Sequence, residues 1–556
     1  MNERKIAAVL LIALPFLLHA QEMSDQDALD QMKYDVQYLS SDLLEGREAG
    51  TKGEKLAADY ITGKFSSIGL MPYGDSASYR QGFPFAALPE LGPANRLQLG
   101  RKKLKHGTDF AVLPYSASAE VRGKVLNCLY GIRAPELDYD DYKGQDVKGR
   151  IVGLSISSPD GIHPHSKYLA HHDLRDRVEK AVALGAVGVI FYNDDPTAQD
   201  PAEQFMVSVQ PSTVPVLFLK GELHESLLVD NNPCVIGTDI VRATRTAYNI
   251  VGLLDNGRKN VVVIGAHYDH LGYGSEGSLH RGEAEIHNGA DDNASGVAVM
   301  LQLARDLSVS DAARENDYLF IAFSGEEKGL YGSGYWTKNP TVPLSELNYM
   351  INLDMVGRLD STGRIGINGV GTSPAWAEVE RILVGDLKVK TTESGIGPSD
   401  HTSFYLKDIP AIHFFTGTHN DYHKPGDDEE KINYPGMLRV VRYIESLIAT
   451  LNDDGKLAFQ KTKDEDNSEV PRFTVTLGVV PDYMFDGTGM RIDGITEGKP
   501  AANAGLKAGD VVTRMGEVEV TDMMAYMKAL SLFKKGDTAP VRVLREGKEM
   551  DVQVTF

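Results

Sequence analysis

Two adjacent acids, Asp291 and Asp292, sit in NGADDNASG (288–296), a run of small residues that opens an apolar helical stretch, GVAVMLQLARDL. Small neighbours let another group approach the backbone closely. Adjacent carboxylates repel unless a cation or a proton is shared between them. The same residues also suit an ordinary acidic helix start, because Asp and Asn are favoured at N-caps. Four further segments bear on that choice: AHYDH upstream, and SGEEKGLYGSGY, NLDMVG and DYHKPGDD downstream. Each follows an apolar run, and together they supply His267, Asp269, Glu326, Glu327, Asp354 and His423. Two histidines with a set of carboxylates form an oxygen-and-nitrogen ligand list, which suits zinc and excludes thiolate sites.

The elements that must carry these residues follow from periodicity. From Thr246 the apolar runs KNVVVIGAHYD, DYLFIAFSGEE, LNYMINLDMVG and IPAIHFFTG read as strands. The intervening GVAVMLQLARDL, SPAWAEVERILVGDL and PGMLRVVRYIESLIATL have helical spacing. Alternating strands and helices predict an α/β fold, with a mainly parallel mixed sheet sandwiched by helices. Ligands bind such sheets at the carboxyl ends of the strands, where each named strand delivers a polar residue. Upstream, ALDQMKYDVQYLSSDLL and KGEKLAADYITGKFSSIGL predict two amphipathic helices separated by GREAGTKG.

The chain has 556 residues, too many for one core. A net charge of −21 argues against nucleic-acid and anionic-membrane partners and favours cations or positively charged amino termini. Arg4 and Lys5 before the apolar run Ile6 to Leu18, with Ala20 at a cleavage position, predict a signal peptide over 1–20. No later stretch is apolar and long enough to span a bilayer, so no integral membrane segment is expected after signal removal. The expected location is therefore periplasmic or extracellular. Cys128 and Cys234 are the only cysteines, and an exported chain permits either a disulfide or two buried thiols. The histidines at 163, 165, 171 and 172 lack partner acids at ligand spacing and read as a solvated loop.

HYDH, NGADDNASG, GEEKGLYGS, NLDMVG and YHKPGDD resemble the five motifs of the two-zinc aminopeptidase family, which includes bacterial leucyl aminopeptidases, aminopeptidase Y and glutamate carboxypeptidase II. The resemblance implies the zinc-exopeptidase fold and Zn2+, two per chain. It implies that His267 and Asp354 hold one zinc, Glu327 and His423 the other, and Asp291 both. It makes Glu326 the general base, Asp269 the partner that orients His267, and Tyr422 a donor to the developing oxyanion. It gives Asp427 the task of orienting His423, and it expects a cis peptide between Asp291 and Asp292. Such a pair of metals lowers the pKa of a shared water toward about 7 and polarises a carbonyl. Neighbours on a strand end point differently, so Glu326 stays free if Glu327 is a ligand. PSDHTSFY (398–405) also resembles a family segment beside the pocket, with no chemical role implied for Asp400 or His401.

Two more regions carry resemblances. DVKGRIVG, KAVALGAVGVIFYND and STVPVLFL resemble the protease-associated domain, a β-rich insertion. TVTLGVVPDY and KPAANAGLKAGDVV resemble a C-terminal PDZ-like β-barrel domain, which accepts a peptide or protein C-terminus beside Leu477–Gly478–Val479. The expected division is a signal peptide 1–20, the N-terminal part of the peptidase domain 21–118, a protease-associated-like insertion 119–245, a peptidase core 246–452, a linker 453–471 and a PDZ-like domain 472–556. The function expected is removal of N-terminal residues from peptide substrates. Alternatives on the same fold are a one-zinc glutaminyl-peptide cyclotransferase, a carboxypeptidase or dipeptidase. A different class is a metal-free binding protein, whose relatives lack the ligands found here.

Overall fold

VVVIGAH alternates along its length. Val262, Ile264 and Ala266 face one layer and Val261 and Val263 the other, all buried. A strand apolar on both faces belongs in a sheet covered on both. The computed structural model has that sheet. It describes residues 24–462 and 475–556 apart from 164, 204, 206–208, 275–276, 281, 483–484, 486, 496–497, 522 and 535. The expected signal peptide 1–20 therefore lies outside the described residues.

The described residues fall into two compact units, one within Met1–Gly82 and Tyr248–Ser468, the other within Phe83–Ala247 and Glu469–Phe556. The first unit is organised on a nine-stranded sheet. Its main strands are β1 (Thr244–Leu254), β2 (Val261–His267), β3 (Asp317–Phe323), β4 (Leu347–Leu353), β5 (Arg364–Asn368), β6 (Lys388–Thr392) and β7 (Ala411–Phe415). They lie in the order β1-β3-β2-β4-β7-β5-β6. β2 runs parallel to both β3 and β4, and β4 parallel to β7, whereas β1 and β5 run antiparallel to their inner neighbours. One face packs on α1 (Asp25–Leu39), α2 (Lys52–Ile68), α3 (Gly296–Val309) and α5 (Tyr434–Leu451). On the other face Trp336 of α4 (Tyr331–Lys338) stacks on Phe404 at 5.5 Å between centroids. This is the expected α/β architecture.

Three expectations change. Strands Arg96–Leu99, Lys102–Leu104 and Phe110–Val112, expected in the N-terminal part of the peptidase domain, pair instead within the second unit. Arg96–Leu99 bonds antiparallel to Pro233–Gly237, and Phe110–Val112 to Val216–Leu219. The expected linker from 453 is packed at its start. The Leu457 N–H donates to Asn348 Oδ1 (2.8 Å) and the Gln460 N–H to Thr372 O (2.8 Å). Its residues 463–471 lie outside the described residues. The helix read over SPAWAEVERILVGDL is a shorter 3-10 helix over Pro374–Arg381.

In the second unit an eight-stranded sheet carries the protease-associated pattern, with Ile151–Ser155, Gly188–Tyr192 and Val216–Leu219 as neighbouring parallel strands. Cys128 and Cys234 are both buried free thiols, each pushed up to about 12 by burial. His171 faces Glu136 and His172 faces the hydroxyls of Ser158 and Ser166. A separate six-stranded antiparallel sheet spans Val479 to Thr555.

The turn between α1 and α2 underlies the site described next. Thr51 caps α2 by accepting the Glu54 N–H, and Gly53 lies so close to the preceding turn that an added Cβ would come within 1.8 Å of Leu44 O. Gly53→Ala should therefore destabilise the unit by about 1–3 kcal/mol, the usual range for forced overpacking. Urea denaturation checks this, and an unchanged midpoint would mean that the turn yields freely.

Candidate active site

β2, β3, β4 and the loop after β7 end at one edge, and their polar residues meet there. His267 closes β2, Glu326 and Glu327 follow β3, Asp354 follows β4, and His423 comes from the loop after β7. The acid at their centre is Asp292. Its Oδ1 lies 3.3 Å from His267 Nε2, and its Oδ2 lies 3.2 Å from His423 Nε2. His267 Nε2 is also 3.3 Å from Asp354 Oδ1, and His423 Nε2 is 3.3 Å from Glu327 Oε2. One carboxylate thus serves two clusters, one with each oxygen. Ligand atoms of His267, Asp292 and Asp354 lie within 4.8 Å of one another, as do those of His270, Asp292 and Glu327.

Asp291, expected at the bridging position, is turned away. Its Oδ1 accepts from Gly357 N (2.7 Å) and Ser295 Oγ (3.0 Å), and its Oδ2 lies 3.2 Å from His419 Nε2. The cis peptide also moves one residue on, to Asp292–Asn293. Asn293 then accepts from the Gly296 and Met355 N–H groups, which fixes the turn into α3. Ser295, four residues beyond Asp291, was a spacing signal that the first acid has an internal partner.

The neighbouring assignments also shift. Asp427 does not touch His423. Its Oδ2 accepts the N–H groups of both Asp291 and Asp292 at 3.0 Å, holding their main chain, while His423 Nδ1 faces Gly277 O at 3.0 Å. Asp269 stands behind His267, with Oδ1 at 3.8 Å from Nδ1, and that same oxygen accepts the Glu326 N–H (3.1 Å). The nearer partner of His267 Nδ1 is the main-chain oxygen of Asp269, at 3.2 Å. Tyr422 stacks flat on His423, with centroids 3.9 Å apart. Glu326 lies outside both clusters, 4.0 Å from His267 Nε2.

His270 is the residue that sequence reasoning quoted in AHYDH and gave no role. Its Nδ1 lies 2.7 Å from Glu327 Oε1, a hydrogen bond that fixes which Glu327 oxygen turns toward His423. Partners of this kind support metal affinity by 10–100-fold, so His270→Ala should weaken zinc binding by about that factor. Chelator competition measures it, and unchanged affinity would remove His270 from this role.

Opposite charges face one another across the cluster. Burial alone would raise Asp292, yet hydrogen bonds from His267 and His423 hold it well below the carboxylate range. Burial would likewise raise Glu327, but His423 pulls it to about 2. Against burial, Asp354 and Glu326 push His267 up, and Glu327 and Asp292 push His423 up. Positive charge between these carboxylates is what lowers them, and metal cations held here would supply it. Burial raises Glu326 well above the usual range, with Glu327 and Asp354 adding to it, and raises Asp269 to about 7. The donors are nitrogen and oxygen only, a set that fits zinc.

Comparison with known proteins finds three family matches along the chain. Residues 249–448 match the model of peptidase family M28, residues 115–227 that of the PA domain, and residues 458–556 that of the PDZ domain. Aminopeptidase YwaD of Bacillus subtilis (strain 168) is 28% identical over 419 residues, which cover 71% of this chain and 78% of that protein. An aminopeptidase of Pseudomonas aeruginosa (strain UCBPP-PA14) is 25% identical over 391 residues, 67% of each chain. The solved structure of BSAP, a zinc aminopeptidase from Bacillus subtilis, aligns over 79% of this chain and 97% of its own, with 22% identity and a TM-score of 0.44. The chain carries a peptidase family M28 domain together with a PA domain and a PDZ domain, and is a hydrolase.

Proposed function

We propose that this hydrolase is an exported aminopeptidase whose two zinc ions would be held by His267, Asp292, Asp354, Glu327 and His423. The observation that carries the reading is the division of the Asp292 oxygens, one toward His267 at 3.3 Å and one toward His423 at 3.2 Å. His267 and Asp354 would complete one site, and His423 and Glu327 the other. Bound zinc would polarise the scissile carbonyl and acidify the attacking water. Glu326, left out of both ligand sets, accepts the proton of that water and passes it to the leaving amine. Asp269 holds the main chain of Glu326 and backs His267. Tyr422, on the loop that brings in His423, is the side chain we assign as donor to the oxyanion.

Two features support amino-terminal action. The named relatives are aminopeptidases, and the charge of −21 favours a cationic peptide terminus. The PDZ domain suits peptide or protein C-termini as further partners. Export rests on Arg4 and Lys5 ahead of the run Ile6 to Leu18. No helix of the described residues is long and apolar enough to cross a membrane.

The test is purified protein, zinc analysis and a panel of aminoacyl chromogenic substrates with and without chelator. The reading predicts about two zincs per chain and release of N-terminal residues that chelator abolishes and zinc restores. Activity indifferent to chelator would overturn it, as would one zinc with cyclisation of N-terminal Gln.

A further inference from the structure

The two loops that carry the ligands, 267–272 and 287–292, are joined from behind by a residue far away in sequence. Arg47 is 1% exposed, and its hydrogen bonds run to main-chain carbonyls. Nε donates to Tyr268 O (2.8 Å), between His267 and Asp269. Nη1 donates to Asn288 O (2.7 Å) and Nη2 to Gly289 O (3.0 Å), just ahead of Asp291 and Asp292. Nη1 also reaches Leu39 O at the end of α1. The main chain adds to this grip, since His270 N donates to Arg47 O (3.2 Å) and Gly272 N to Gly46 O (3.0 Å). Gly46, at φ 69°, has no room for a side chain, because a Cβ would meet Gly272 O at 2.5 Å and His287 O at 2.6 Å.

We propose that Arg47 is a positioning residue for the metal centre: its guanidinium sets the spacing of the His267 and Asp292 loops and holds the ligand set together before metal arrives. The inference rests on the two-zinc reading above. A planar fork with five donors can bond several carbonyls at fixed angles, which a Lys ammonium cannot. Its charge also answers the acids in front of it. Burial draws the guanidinium down to about 10, while Asp292, Asp269, Asp427 and Glu327 pull it up, so it stays charged at neutral pH. A buried cation behind a group of carboxylates lowers their mutual repulsion, and so lowers the cost of keeping the empty site formed.

Arg47→Lys tests this by zinc retention in chelator competition alongside steady-state kinetics. The expected result is zinc affinity weakened by about 10–100-fold, the range for partners that orient ligands. Under saturating zinc, kcat should fall at least tenfold, with KM changed less than threefold, because the loops hold reacting groups more than substrate. A folded variant with wild-type zinc affinity and kcat overturns the proposal. If Arg47→Lys does not fold, hydrogen exchange on the wild-type protein after zinc removal decides. Segments 268–274 and 286–291 should keep their amide protection if Arg47 holds them, and loss of protection on chelation would show that metal alone does so. Failure of the two-zinc reading is distinguishable, because it appears in the wild-type protein as missing zinc before any variant is compared.

Discussion

Asp292→Ala should empty both metal sites at once. Each cluster owns other ligands, but each depends on one Asp292 oxygen. Zinc should fall from about two per chain to below one, and peptide hydrolysis by roughly 10⁴-fold, since metal charge supplies several kcal/mol of barrier lowering and each 1.36 kcal/mol is tenfold. Asp291→Asn is the matched control. It keeps an oxygen for Gly357 N–H and Ser295 Oγ and removes no ligand, so zinc content should stay near two. If Asp291→Asn loses zinc while Asp292→Ala keeps it, the two roles assigned to these neighbours are reversed.

Glu326→Gln should behave in the opposite way, with metal kept and turnover lost. The change removes a proton acceptor while preserving size, and Glu326 belongs to neither ligand cluster. General-base loss should lower kcat by about 10²–10⁴-fold, with zinc per chain unchanged. Near-normal turnover in a zinc-loaded variant would take Glu326 out of the reaction.

These expectations show where the sequence was legible. The strands β2, β3, β4 and β7 are buried and mostly apolar, as strands of a sheet covered on both faces are. His267 ends β2, Glu327 and Asp354 follow their strands closely, and His423 comes from the loop after β7, so their convergence at one edge was readable from the strand ends. Asp291 and Asp292 were not separable in that way. Both are acids in a turn, and which one faces the histidines depends on the main-chain path through Asn293, which no periodicity records. The partner of Asp427 and the role of His270 escaped for a related reason, because each acts through a bond to a loop distant in sequence. The pairing of Arg96–Leu99 and Phe110–Val112 within the second unit was not readable, because both are short and take their partners from more than a hundred residues away. Arg47 carried no ligand signature at all. Its importance lies in the carbonyls it reaches, which side-chain patterns do not reveal.

The most direct measurement is anomalous diffraction at the zinc edge from crystals grown with zinc. The account predicts two peaks, roughly 3.5–4 Å apart as in other two-metal sites, one between Asp292 Oδ1 and His267 and the other between Asp292 Oδ2 and His423. A single peak, or peaks that leave the Asp292 carboxylate unshared, would contradict it.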